Sequence, residues 1–74
     1  MDRNIIVCRS VLENPAVTQR ELSQEMHISL GTANNLVKDC MEKGLIETGE
    51  GNSYVLLPPG RELLERNKVD GALI

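Results

Sequence analysis

The chain has no phenylalanine and no tryptophan, and Tyr54 is its only aromatic residue. An interior without large rings has to be assembled from Ile, Leu, Val, Met, Ala and the two cysteines. At 74 residues the chain makes one domain at most, and such a domain buries only about 60% of its unfolded surface. Histidine is almost absent too. His27 stands alone, there is no phosphate-binding glycine loop, and no His, Cys and carboxylate constellation forms. The expectation is a chain with no catalytic residues and no cofactor. Cys8 and Cys40 match no metal spacing; each falls in the apolar pattern of its own helix and reads as a small buried hydrophobe. No apolar run is long enough to cross a bilayer, and the early IIVC is too short for the core of a secretion signal. The expected location is the cytoplasm, with no membrane partner.

Positive charge is also scarce. Eight Lys and Arg face eleven Asp and Glu, for a net charge of −3. This opposes any function that depends on a broad basic surface, because phosphate neutralisation supplies most non-specific nucleic-acid affinity. A partner of that kind would have to be met by a few well-placed groups.

What is present is a clear order of local signals. Arg3 to about Glu13 carries Ile5, Cys8 and Leu12 at helical spacing, with Val11 widening the stripe. Asp2 suits the N-cap, and Asn14-Pro15 ends the helix because the residue before proline is driven out of the α region. Thr18 and Glu21 form a capping box for a second helix that buries Leu22 and Met26, with Val17 as its hydrophobic staple. His27-Ile28-Ser29 is a turn, and His27 reads as a partly exposed turn residue. Ser29 caps a third helix reaching about Lys43, with Ala33, Leu36, Val37, Cys40 and Met41 on one side. Gly44 supplies the stop. Leu45–Thr48 and Ser53–Leu57 read as strands joined by Gly49-Glu50-Gly51-Asn52, with glycines where φ is positive. Pro58-Pro59-Gly60 breaks the second strand. A short last helix from Gly60 to about Asn67 turns Leu63 and Leu64 inward. The order is a helix-turn-helix followed by a β-ribbon, and a helix placed like the third commonly enters a DNA groove.

The run TQRELSQEMHIS followed by GTANNLVKDCMEKGLI resembles the winged helix-turn-helix domains of bacterial MarR-type regulators. Tyr54, Leu56, Pro59-Gly60 and Arg61 resemble that family's join between wing and last helix. The resemblance implies an α+β, mainly α fold, with a three-helix core, a two-stranded wing and a short C-terminal helix over residues 1–68. It further implies that the third helix faces the major groove of double-stranded DNA, through Leu30, Gly31, Thr32, Asn34, Asn35 and Lys38. The wing would bring Asn52 and Ser53 beside the groove, and Arg20 would reach a phosphate. Two departures from the family pattern stand out. Relatives often have Arg where Asn35 or Asp39 sits, and Asp39 is expected to offset part of the charge of Lys38. The wing carries Glu47 and Glu50 and no cation. Such domains commonly act as homodimers.

A second resemblance lies in RELLERNKVDGALI, which is similar to the join into the catalytic domain of bacterial phosphocholine and sugar-phosphate cytidylyltransferases. It implies that residues 69–74 are a strand-like tail or the start of a following nucleotidyltransferase domain, with the present chain as its regulatory or interaction head. Two other readings stay open on the residues alone. Asn34, Asn35 and Lys38 also suit a plain solvated helix face. Val55 and Leu57, alternating outward from Tyr54 and Leu56, either form a protein-docking patch or lie under the chain's own last helix.

Overall fold

The computed structural model describes the backbone of residues 2–72 and the side chains of residues 2–66. Within it, α1 is Arg3–Glu13, α2 Gln19–Met26, α3 Leu30–Glu42, β1 Ile46–Thr48, β2 Tyr54–Leu56 and α4 Pro58–Ala72. The result is a mainly helical α+β fold carrying one two-stranded antiparallel sheet.

The caps act as the local chemistry dictates. The Asp2 carboxylate accepts the Asn4 N–H at 2.9 Å. Thr18 accepts the Glu21 N–H at 3.1 Å while the Glu21 carboxylate accepts the Thr18 N–H at 3.0 Å, closing the reciprocal box. Ser29 accepts the Thr32 N–H at 3.1 Å. At the other ends, Asn14 is extended before Pro15, and Gly44 takes a positive φ of 72°. The Leu45 N–H then bonds back to the Cys40 carbonyl at 2.9 Å, so the chain leaves α3 directly into the sheet. His27 ends α2 in the left-handed region, at φ 57° and ψ 44°.

Val7, Cys8 and Val11 from α1 meet Leu22 from α2 and Ala33, Val37 and Cys40 from α3 in one buried core, closed by Leu45 and Ile46. Leu36, Met41, Met26 and Ile28 pack around it, half-buried. Leu12 is a correction to the expected stripe, since it is 50% exposed. It lies on the same helical row as buried Ile5, two turns further on. That row is covered at one end and open at the other, so burial was decided by which elements reach it.

In the sheet, Ile46 faces Leu56, Glu47 faces Val55 and Thr48 faces Tyr54. The Tyr54 N–H also reaches the Pro15 carbonyl at 2.8 Å, which ties the wing to the α1–α2 loop. Of the two turn glycines, only Gly51 has a positive φ. Gly49 is instead short of space, because a Cβ there would stand 2.9 Å from the Ser53 hydroxyl.

The last helix is longer than expected. It begins at Pro58, which suits a first turn where no N–H is needed, and it crosses residue 68 without a break to reach Ala72. Val69 to Ala72 are therefore helical and not the start of a strand; Leu73 and Ile74 lie outside the described residues. No stop signal separates Arg61 from Lys68, and a single interior Gly71 costs only about 1 kcal/mol. Gly60 does not break the chain. It is buried inside α4, where a Cβ would overlap the Leu45 carbonyl oxygen and stand 2.8 Å from Leu56 Cδ1. Leu63 and Leu64 pack half-buried against the core, as expected.

Candidate nucleic-acid interface

With Ala33, Val37 and Cys40 turned into the core, α3 leaves the opposite side open. Gly31, Asn35, Lys38 and Glu42 recur at helical spacing along its middle, and all four are exposed. Leu30 stands at the first residue of the helix and is 50% exposed. Thr32 and Asn34 flank the strip, half-buried. None of the side chains expected to face a groove is buried. Glu42 was not among the expected residues, although its spacing from Lys38 places it on the same strip.

Not every member of the set is equally available. The Thr32 and Ser29 hydroxyls share a hydrogen bond at 2.8 Å, so Thr32 is partly committed to the cap. Ser53 donates its hydroxyl proton to the Glu50 carbonyl at 2.7 Å and serves the wing turn first. Asn52 is exposed at the wing tip, and Arg20 is exposed on α2. Gly31 has open space on its outer side: an added Cβ would meet nothing within 4 Å.

The electrostatics of α3 turn on Asp39, which pairs with Lys43 and not with Lys38. Its carboxylate accepts from the Lys43 ammonium at 3.0 Å and from the Asn4 amide at 3.2 Å. Those two partners, Lys43 first, hold the Asp39 carboxyl below its ordinary range, and the Asp39 carboxylate in turn holds the Lys43 ammonium above its own. Lys38 makes no ion pair among the described residues. The outer strip of α3 therefore carries one unmatched cation in its middle turns, an amide beside it, and the anionic Glu42 only at its last turn. The partial positive charge of the helix N-terminus adds to the end where Leu30 and Gly31 sit. The wing keeps its acidic character, with Glu47 and Glu50 both exposed.

Elsewhere, Val55 is 43% exposed on the outer face of the sheet, while Leu57 is half-covered. Val55 and Leu12 edge an open groove floored by Val11, Tyr54 and Leu56, with Arg61 at its rim. Cys8 and Cys40, far apart in sequence, are both fully buried and unbridged. Hydrogen bonding with Cys8 and burial hold the Cys40 thiol well above its usual value, and its Sγ donates to the Asn4 side-chain oxygen at 3.4 Å.

A helix exposed in this way, standing second in a helix-turn-helix and followed by a β-ribbon, agrees with comparison to known families. The model for the winged helix-turn-helix DNA-binding domain matches residues 2–47, from the N-cap of α1 to the first strand of the wing. The chain belongs to this family. No curated protein and no solved structure is similar enough to count as a match. In a winged helix-turn-helix DNA-binding domain, α2 and α3 are the helix-turn-helix pair and β1 and β2 are the wing. The family match ends before β2, so the second wing strand and α4 are known here from the fold itself. Among the described residues no helix is long and apolar enough to cross a membrane.

Proposed function

We propose that this winged helix is the DNA-reading domain of a bacterial transcription regulator of MarR-like type, with α3 lying in the major groove and the wing beside it. The observation that carries the reading is the open strip of Gly31, Asn35 and Lys38, with the neighbouring Asp39 engaged by Lys43 and Asn4. Lys38 and Arg20 are placed to meet phosphates, while Asn35 and Asn34 are the amides able to reach base edges. With so few cations the phosphate term is small, so a single copy binds weakly. A homodimer on two half-sites restores affinity, with the half-sites about one helical turn of DNA apart. The test is fluorescence anisotropy of labelled random duplexes at low salt, with the competitor a single strand of the same length. Binding of duplex in preference to the single strand, weakening only shallowly with salt as so few cations require, supports the reading; no binding of any duplex ends it.

One observation favours a second reading, in which the domain is the N-terminal interaction head of a nucleotidyltransferase and its partner is a C-terminal catalytic domain. The wing holds two exposed carboxylates and no cation. One other support for it is gone, because α4 stays helical to Ala72; the even balance of Lys38 and Lys43 against Asp39 and Glu42 remains. DNA binding is accordingly the preferred reading.

A further inference from the structure

We propose that α3 is built to read an A·T-containing core, with Leu30 against a thymine methyl group and Asn35 hydrogen-bonded to adenine. The proposal rests on the major-groove reading above and names what that groove must contain. Leu30 is a large apolar side chain left 50% exposed at the very start of α3. The core takes its α3 side chains from Ala33, Val37 and Cys40 and does not use Leu30. In the major groove, the apolar feature that distinguishes one base from the rest is the thymine methyl.

The polar groups agree. Guanine is most often read by the paired donors of Arg, or by Lys. Helix α3 has no arginine. At its end the Lys43 ammonium is held by Asp39 at 3.0 Å, which leaves Lys38 as the cation of the strip. Asn35 is exposed and its amide has no hydrogen-bond partner among the described residues, and Asn pairs in bidentate fashion with adenine. Between Leu30 and Asn35 lies Gly31, whose outer side is open. Without a side chain there, the backbone of the first turn can come close to the base edges.

The experiment has two stages, both with the intact chain. Selection from a random duplex pool is followed by anisotropy titration of the winning site, with each thymine replaced in turn by deoxyuridine. The expected winner has an A·T core. One of its thymines, when demethylated, weakens binding about fourfold, which is the worth of one buried methyl. Leu30→Ala binds the normal site more weakly and no longer distinguishes thymine from uracil at that position. Asn35→Ala loses about tenfold or more on an adenine and relaxes the choice of base there. Circular dichroism of both variants is expected to be unchanged, since both side chains are exposed. A G·C core, a silent deoxyuridine series, or a Leu30→Ala protein that keeps its thymine preference overturns the proposal while leaving DNA binding intact. Failure to retain any duplex overturns the groove reading, and this inference falls with it.

Discussion

The side-chain amide of Asn4, at the start of α1, donates to the carboxylate of Asp39 on α3 at 3.2 Å, across 35 residues of sequence. The other end of the same amide accepts from the Cys40 thiol at 3.4 Å. A buried asparagine is thus satisfied on both sides and holds the first helix to the exposed one. Asn4→Ala is expected to lower stability by about 1–3 kcal/mol, because it strands one partner and opens a small void. Urea unfolding at neutral pH measures this.

The same contact carries a pH dependence. The Asp39 carboxyl is held below its ordinary range by Lys43 and then by Asn4. Its stabilising contribution is complete above the unfolded value, about pH 4, and is lost as pH falls through the lower folded value. Lys43 is shifted the other way, so its share is present below about pH 10.4 and is lost as pH rises through its higher folded value. Thermal unfolding of the wild type against Asp39→Asn is expected to converge as the solution becomes acidic. A gap that stayed constant below pH 4 would remove the argument.

His27 occupies the left-handed region without glycine's freedom to do so. For an L-residue this costs roughly 1–2 kcal/mol, less what glycine loses in the unfolded chain. His27→Gly is expected to raise stability by about 0.5–1 kcal/mol, and His27→Val to lower it, since a β-branched residue suits that region least. Differential scanning calorimetry of the two variants gives the sign directly.

Gly60 lets α4 lie directly on the Leu45 carbonyl. Gly60→Ala puts a methyl group inside backbone contact and is expected to cost about 1–3 kcal/mol, despite alanine's better helix propensity. Chemical unfolding of this variant alone is sufficient, because no functional contact is involved.

Gly31 should respond in the opposite sense. A Cβ there meets nothing within 4 Å, so Gly31→Ala is expected to stabilise the fold by about 0.5–1 kcal/mol. The same methyl stands on the strip proposed to approach base edges, and duplex affinity should fall. Paired unfolding and anisotropy measurements would show a more stable protein that binds less well; tighter or unchanged binding would place the DNA elsewhere.

Lys38 and Glu42 give the electrostatic counterpart. Lys38→Ala is expected to reduce the slope of log affinity against log salt by about 1, with little change in sequence preference. Glu42→Gln, at the far end of the same strip, should tighten binding by removing a like charge near the phosphates. Titrations at several salt concentrations separate the two effects.

What the linear sequence determined was the local part of the fold. Asp2, the Thr18–Glu21 box, Ser29 and Gly44 set helix ends through contacts spanning two to five residues, and the spacing of Ala33, Val37 and Cys40 marked the buried side of α3 and hence its open one. Chemistry confined to a few neighbours can be read along a chain. Tertiary structure decided that Asn4 joins Lys43 on the Asp39 carboxylate: the Lys43 pair is a local contact one turn along α3, whereas Asn4 comes within reach only when α1 packs on α3. It also decided that Leu12 is open where Ile5 is covered and that Gly60 is a packing contact and not a break. Each of these depends on which surfaces meet across distant parts of the chain, and residue spacing carries no record of that.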